Sequence, residues 1–220
     1  MRITDEAVMD VVKSIDKFDS MKDYILVKAV PIEEIDNNVY NKVIGDVALK
    51  ISVLVSIDTD TINMISPSKE VVKNWGLTDD ELFDLAFENM KRIFRPKFMT
   101  LLDAVTKDRI LYDEDSSIFE EHYDSVAIFT LVNFSYLNNS AFIFDKEIRR
   151  KISEIFGEDY YISFISKNEV VMCPISLCGR TVLKDTLDDV IDAEVTPKDF
   201  LSRSVYRYFS KYDVISALVN

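Results

Sequence analysis

The chain has 220 residues, of which 48% are apolar and 30% charged, a composition that excludes a disordered protein and allows a sizeable core. The 39 acids and 26 bases give a formal net charge of −13, which disfavours direct binding to nucleic acid or to an anionic membrane surface. No apolar run approaches the roughly 18–20 residues of a membrane span. The acidic N-terminal sequence lacks the pattern of a signal peptide, so we expect a cytoplasmic protein.

The first half of the chain predicts helices and an antiparallel hairpin. Apolar residues alternate from Val47 to Ile57 with the period of a half-buried strand, and a return strand follows at 62–65. Thr78 and Glu81 have the spacing of a capping box, which predicts a helix beginning at Asp79. The other predicted elements are a helix over 4–18, a strand over 24–30, a loop and short helix over 32–44, a helix starting at Ser66-Pro67 and a short helix over 98–105.

The second half of the chain predicts a helix between strands. Asp145 is suited to cap this helix, Gly157 is suited to end it, and Ile148, Ile152 and Ile155 form one apolar stripe that we expect to be buried. The other predicted elements are a strand over 126–132, a short strand over 141–144, a hairpin of strands over 160–165 and 169–175, a helix over 182–193, a helix start at 196–199 and a strand or helix end over 204–208.

Strands separated by clustered helices predict an α+β fold with a mixed or antiparallel sheet. The chain has four glycines, and this low number disfavours a flexible linker between two domains. We therefore expect one compact unit over residues 1–220. If that unit has two lobes, they divide near residue 110.

Four stretches in a fixed order carry a family resemblance. They are NWGLTDDELFDLAFENM at 74–90, FRPKFMTLLDAV at 94–105, the segment over 126–174 and AEVTPKDFLSRSVYRY at 193–208. Together they resemble a bacterial family common in Firmicutes, domain of unknown function 5688. The resemblance implies a shared fold and brings no known activity. Relatives often carry His-Glu at the turn before the last hairpin strand, where this chain has Asn168-Glu169, and we expect the turn to be structural.

The residue types predict no catalytic, cofactor or metal site. His122 is the single histidine, so we expect it to be exposed and without a metal. A lowered thiol pKa is not indicated at Cys173 or Cys178, and no glycine-rich phosphate loop is present. Asp46 before the long strand, with Lys50 on it, weakly suggests a nuclease-type site, which the negative net charge opposes.

Acidic residues form the predicted partner-binding surface. One group lies between residues 113 and 124, and a second lies at the start of the helix after Thr78. The candidates are Asp113, Glu114, Asp115, Glu120, Glu121, Asp124, Asp79, Asp80 and Asp84. A negative field accelerates encounter with a basic protein surface, and a merely solvated acidic surface is the alternative interpretation.

Three functions from different classes are compatible with these features. The preferred one is a non-catalytic protein that binds a basic protein partner. Its sharper form is a phage or mobile-element inhibitor of a host nucleic-acid-binding defence enzyme. The second is a small-molecule binding or regulatory module with an aromatic pocket, and the third is a cryptic carboxylate- or metal-dependent hydrolase. The candidate pocket aromatics, better explained as core, are Trp75, Phe94, Phe98, Tyr160 and Tyr161.

Overall fold

The computed structural model describes residues 5–58, 61–106, 117–120, 122–123 and 127–218. The α-helices in these ranges are α1 (Asp5–Ser14), α2 (Phe18–Met21), α3 (Lys69–Asn74), α4 (Asp79–Phe94), α5 (Leu101–Thr106), α6 (Lys146–Phe156) and α7 (Arg180–Glu194). The strands are β1 (Ile25–Pro31), β2 (Asn41–Ile44), β3 (Val47–Asp58), β4 (Thr61–Ile65), β5 (Lys97–Thr100), β6 (Phe129–Val132), β7 (Tyr160–Phe164), β8 (Val170–Pro174), β9 (Val205–Phe209) and β10 (Val214–Ala217). The predicted α+β class is confirmed.

The described strands form two antiparallel sheets. In the first sheet, the long strand β3 pairs with β1, β2 and β4. The second sheet has six strands in the order β10-β9-β7-β8-β6-β5. Both predicted hairpins are present, because β3 pairs with β4 and β7 pairs with β8. The predicted division near residue 110 falls outside the described residues.

Helix α4 begins at the predicted capping box. The Thr78 hydroxyl accepts a hydrogen bond from the Glu81 N–H at 3.3 Å, and the Glu81 carboxylate accepts one from the Thr78 N–H at 2.9 Å. These bonds satisfy backbone N–H groups that have no partner within the helix. Arg95, with φ of 49°, then ends the helix in the left-handed conformation before Pro96.

Helix α6 has the predicted ends. The Asp145 carboxylate accepts hydrogen bonds from two backbone N–H groups of the first turn, at 2.7 and 3.0 Å. Gly157 ends the helix at φ of 70°, where glycine has no steric penalty. Ile148 and Ile152 are buried as expected, whereas Ile155 is only half-buried at the edge of the core.

The segment Asn139–Phe144 is a 3₁₀ helix, although its apolar residues predicted a short strand. Asn138, with φ of 58°, turns the chain immediately before it, and the Asn138 side chain donates to the Val27 carbonyl at 2.8 Å. All six residues are buried and contact β6, β1 and β8, so packing and local hydrogen bonds hold the segment. Apolar character alone did not distinguish a buried 3₁₀ segment from a strand.

Two predicted helix starts before residue 100 were wrong. Ser68 rather than Ser66 caps α3, since its hydroxyl accepts from the Val71 N–H at 3.3 Å, whereas the Ser66 hydroxyl lies 3.2 Å from that of Ser52. The segment predicted as a helix over 98–105 begins as a strand, because β5 pairs with β6, and α5 follows directly.

Two further segments also differ from the predictions. Thr196 starts only a turn, in which its carbonyl accepts from the N–H groups of Asp199 and Phe200 at 2.9 and 3.0 Å, and the chain then continues into β9. Strand β2 lies within the stretch that was predicted as loop and short helix. Its pairing with β3 supplies a structure that its polar sequence did not indicate.

The main core contains residues of both sheets and of α4 and α6, from both halves of the chain. Phe98 and Phe129 stack with ring centroids 4.8 Å apart, and Phe156 packs 5.3 Å from Phe129. Trp75, Phe94, Phe98 and Tyr160 are buried, and Tyr161 is partly buried. Four of the five aromatic residues considered for a pocket therefore belong to the main core, whereas Tyr161 packs against the second apolar cluster beneath α7.

The turn between β2 and β3 joins the two sheets. Gly45 has φ of 64°, and a Cβ added there would lie 2.8 Å from both the Ala217 Cβ and the Tyr206 hydroxyl. The Asp46 carboxylate accepts a hydrogen bond from the Tyr206 hydroxyl and one from Ser202 at 2.8 Å. Burial and the Asp46 carboxylate raise the pKa of Tyr206. Through these contacts, the β2–β3 turn of the first sheet packs against β9 and β10 of the second sheet.

Candidate functional site

The six-stranded sheet has one face in the aromatic core and a second face beneath α5 and α7. Helix α7 packs on the second face through Leu183, Leu187 and Ile191, which contact Cys173 and Val205. A cleft of about 660 Å³ remains between α5 and α7, and we name it the α5–α7 cleft. Its lining residues are predominantly apolar, with polar groups confined to a few positions. This combination is typical of small-molecule sites.

The floor of the α5–α7 cleft contains a row of three residues on adjacent strands. Val171 on β8 pairs with Thr130 on β6 and with Ser163 on β7, so all three side chains belong to one cross-strand row. The Thr130 hydroxyl donates to the Val170 carbonyl at 2.8 Å. The Ser163 hydroxyl has no hydrogen-bond partner among the described residues, although Ser163 is only 2% exposed.

A second unpartnered polar atom lines the same cleft. Asn139, in the 3₁₀ segment, is also 2% exposed, and its side-chain oxygen has no hydrogen-bond partner in the described part of the chain. An unsatisfied buried polar group costs about 1–3 kcal/mol, so native proteins keep few of them. Among the described residues, two carry an atom with this property, Asn139 (Oδ1) and Ser163 (Oγ), and both residues line the α5–α7 cleft.

The turn over 166–169 forms part of the cleft wall. Its backbone closes through a Ser166 N–H bond to the Glu169 carbonyl at 3.1 Å, and the Asn168 side-chain oxygen accepts from the Asn138 N–H at 2.9 Å. The Ser140 hydroxyl donates to the Ser166 carbonyl at 2.6 Å. These hydrogen bonds hold the turn in place, and two of its residues, Asn168 and Glu169, line the cleft. The interpretation of the turn as purely structural stays a prediction.

Carboxylates are the charged groups of the α5–α7 cleft. Glu169 and Glu194 line it, and no described lysine, arginine or histidine does so. Surrounding protein atoms raise the pKa of Glu169 by desolvation, although much of its side chain remains exposed, which limits the shift. Glu194 is the last residue of α7, where the helix carries partial negative charge.

The predicted acidic surface is described only in part. Asp113, Glu114, Asp115, Glu121 and Asp124 lie outside the described residues. Glu120 is exposed and lies in a depression beside α6. The role of this stretch in partner binding stays a prediction.

The acids at the start of α4 are exposed, and two of them have partners within the chain. Asp79 accepts a hydrogen bond from the Tyr40 hydroxyl, and burial together with Asp79 raises the pKa of Tyr40 to about 12. Asp84 forms an ion pair with Lys146. Asp80 is exposed beside Asp84 in a small crevice of about 120 Å³. Part of the negative charge of this group is therefore already compensated.

The histidine and the thiols do not form a site in the described part of the chain. His122 is exposed, Cys173 is buried and Cys178 is half-buried, and both cysteines are free. Burial and the nearby Cys178 raise the pKa of Cys173 to about 12, which keeps its thiol protonated. Among the described residues, His, Cys, Asp and Glu side chains nowhere form a group of three that could hold a metal ion.

Asp46 and Lys50 have separate environments. Asp46 is held in the contact between the sheets, whereas Lys50 lies directly opposite Lys28 in the β1–β3 register. Burial lowers the pKa of Lys28, and Lys50 lowers it further. The weak nuclease-type suggestion therefore has no supporting geometry at these two residues.

A larger depression of about 1230 Å³ lies between α6 and the segment at 117–120 and 122–123. Its charged groups include Lys91, which pairs with Glu88 and Glu147 at 2.6 Å. Residues 107–116, 121 and 124–126, which adjoin this segment in sequence, lie outside the description. We therefore assign no site there.

Comparison with known sequences and structures identifies a family and nothing more specific. A family model described as a family of unknown function, DUF5688, matches residues 2–210 and confirms the resemblance carried by the four stretches. No curated protein and no solved structure matches the chain. Among the described residues, none of the helices combines the length and apolarity of a membrane span.

Proposed function

We propose that this chain, which belongs to the family of unknown function DUF5688, is a small-molecule-binding module whose ligand occupies the α5–α7 cleft. The observation that carries the proposal is that two residues with an unpartnered buried polar atom, Asn139 (Oδ1) and Ser163 (Oγ), line one predominantly apolar cleft. The proposal is one of the alternatives from the sequence, with one change. The walls are mainly aliphatic, with Tyr136 among the lining residues, whereas Trp75, Phe94, Phe98 and Tyr160 lie in the main core.

The size and walls of the cleft support this proposal. Its volume of about 660 Å³ falls within the roughly 300–1,000 Å³ that is usual for small-molecule sites. Leu183, Leu187 and Val190 on α7 form one apolar wall, and Leu101 and Ala104 on α5 contribute to the other. A ligand with an aliphatic body gains about 25 cal/mol for each Å² of apolar surface removed from water.

The two unpartnered atoms supply the specificity of the proposed site. A ligand group that hydrogen-bonds to Asn139 Oδ1 or Ser163 Oγ removes an existing desolvation penalty. Its net contribution is therefore larger than that of a hydrogen bond to an exposed group. We expect ligands with an aliphatic body and a hydrogen-bonding head to bind more tightly than purely apolar molecules of equal size.

Octanamide is a suitable neutral probe, because it combines an aliphatic chain with a donor and an acceptor. We expect one molecule to bind with a dissociation constant on the order of 1 mM, measured by ¹H–¹⁵N NMR titration. Ala104→Trp places an indole in the cleft from the half-buried side of α5 and should abolish the saturable shifts. Leu102→Trp is the matched control, because Leu102 is 70% exposed on the same helix and does not line the cleft.

The proposal fails if octanamide produces no saturable shifts in the wild-type protein. It also fails if Ala104→Trp, with the fold retained, binds octanamide as tightly as the wild type does. Equal losses in Ala104→Trp and Leu102→Trp would attribute the effect to a disturbed helix rather than to a filled cleft, and would also contradict the proposal.

Binding of a basic protein partner through acidic residues remains a second proposal, favoured by the net charge of −13. The sharper version, a phage or mobile-element inhibitor, is part of it. Simultaneous reversal of Asp113, Glu114 and Asp115 to lysine should abolish capture of a partner from host lysate at low salt. Reversal of three exposed acids on α7, Asp185, Asp189 and Asp192, gives the same change in net charge and is the control. Equal capture by both triple variants would remove the acidic stretch from the contact.

A further inference from the structure

The charged groups that line the α5–α7 cleft, among the residues that the structure describes, are carboxylates. Glu169 and Glu194 line the cleft, and the C-terminal end of α7 adds partial negative charge at Glu194. Asn139 also lines the cleft, and its unpartnered Oδ1 can only accept a hydrogen bond. The site therefore offers acceptors and negative charge to a ligand. The protein as a whole, with its net charge of −13, also attracts cations and repels anions.

The lysine nearest to this region in sequence is already paired. Lys167, in the same turn as Glu169, pairs with Glu34 at 2.8 Å and also donates to the Lys198 carbonyl at 2.8 Å. Lys167 does not line the cleft. Glu169 has no ion pair among the described residues, and no positive group offsets the desolvation of its carboxylate. A cationic ligand group would supply the missing counter-charge.

We infer that the ligand of the α5–α7 cleft is an aliphatic amine, bound as its ammonium form. This inference rests on the proposed small-molecule function and specifies its ligand class. The aliphatic body lies against the apolar side chains of α5 and α7, and the ammonium pairs with Glu169. Any further N–H or O–H group of the ligand meets the free acceptor capacity of Asn139 Oδ1 and Ser163 Oγ. Carboxylate ligands of the same length are disfavoured by like-charge repulsion.

Three probes that share the same length of aliphatic chain separate the effect of the ligand's charge from the effect of burying its apolar surface. Octylammonium, octanamide and octanoate are titrated against the full chain near neutral pH, with binding followed by NMR. We expect octylammonium to bind about fivefold more tightly than octanamide, the upper range for an ion pair that remains partly exposed. Octanoate should bind most weakly of the three.

Removal of the charge of Glu169 tests the assigned counter-ion. Glu169→Gln should bring the ratio of octylammonium to octanamide affinity close to one. Asp189→Asn is the matched control, because Asp189 is exposed on α7, does not line the cleft and carries the same charge. The affinity ratio in Asp189→Asn should remain that of the wild type, since a distant surface charge is screened by salt.

The outcomes distinguish the inference from the function on which it rests. If octanamide binds in the cleft and octylammonium binds no more tightly, or if Glu169→Gln leaves the ratio unchanged, the amine assignment is overturned and the small-molecule function stands. The assignment is likewise overturned if Asp189→Asn changes the ratio of octylammonium to octanamide affinity more than Glu169→Gln does. Binding of none of the three probes overturns the small-molecule function, and the amine assignment with it.

Discussion

The two faces of the six-stranded sheet have different environments: neighbouring residues of one strand lie alternately in the main core and in the lining of the α5–α7 cleft. On β7, Ile162 and Phe164 lie in the main core, whereas Ser163 between them lines the α5–α7 cleft. On β6, Phe129 lies in the core and Thr130 lines the cleft, while Leu131 belongs to the core and also borders the cleft. On the first face the aromatic rings of Phe98, Phe129 and Phe156 pack against one another, although Phe129 and Phe156 also border the depression beside α6. On the second face, Ser163 has a buried hydroxyl without a hydrogen-bond partner among the described residues. We expect the first face to contribute more to stability, and the second is where we propose that a ligand binds.

The largest expected effect comes from the aromatic face. Phe129→Ala should lower the free energy of unfolding by about 3–5 kcal/mol, because Phe129 is 2% exposed and stacks on Phe98. Urea denaturation measures this loss. A loss below about 1 kcal/mol would show that the aromatic face is not the main source of stability.

Shortening a side chain on the cleft face of the sheet should lower the stability of the protein less. Val171→Ala removes two methyl groups from a half-buried side chain whose surroundings include open cleft, so we expect a loss of about 1 kcal/mol. The measurement is again urea denaturation, carried out under the same conditions as for Phe129→Ala. Equal losses at Val171 and Phe129 would contradict the asymmetry between the faces.

Removal of an unpartnered hydroxyl should stabilise the free protein. Ser163→Ala eliminates a buried group without a hydrogen-bond partner, so the free energy of unfolding should rise by about 1 kcal/mol. The same change should weaken octanamide binding, because the ligand loses a partner. Opposite signs for stability and affinity are the signature of a polar group kept for binding. A variant that loses stability while binding normally would give Ser163 a structural role instead.

The smallest expected effect is a pH dependence of the free energy of unfolding that arises from Glu169. Its pKa in the folded protein is raised above the ordinary value of 4.5, so the folded state retains the proton to higher pH than the unfolded state does. The contribution of Glu169 to stability is therefore complete below about pH 4.5 and is lost as pH rises through the folded pKa. Carboxyl-detected NMR titration should show the raised pKa, and octylammonium should lower it. A pKa below the ordinary value would contradict the proposed environment.

Much of the fold followed from local chemistry. The capping box at Thr78, the cap at Asp145 and the left-handed Gly157 are side-chain or backbone preferences that act over one helical turn, so a sequence pattern identifies them. The errors concern segments governed by distant partners. Strand β2 exists because β3 is available to pair with it, and Asn139–Phe144 is shaped by burial between elements far apart in sequence.

The candidate site was less predictable than the fold. Ser163 gave one signal, a small polar residue within the aromatic and apolar strand YYISF, but the same pattern fits a strand with one solvated position. Asn139 belongs to the pair Asn138-Asn139, which is typical of a turn, and Glu169 is distinguished only by the resemblance to the family. All three residues line the cleft between α5 and α7, and the buried polar atoms of Asn139 and Ser163 have no hydrogen-bond partner among the described residues. Neither property can be read from a local sequence pattern, because both depend on how distant elements pack.

A crystal structure of the protein soaked with octanamide tests the central claim most directly. The account predicts one octanamide molecule in the α5–α7 cleft, with its chain against Leu187 and its amide within hydrogen-bond distance of Asn139 Oδ1 or Ser163 Oγ. Octanamide bound in the depression beside α6, or a cleft that contains none at a concentration well above 1 mM, on the order of 10 mM, would contradict the account.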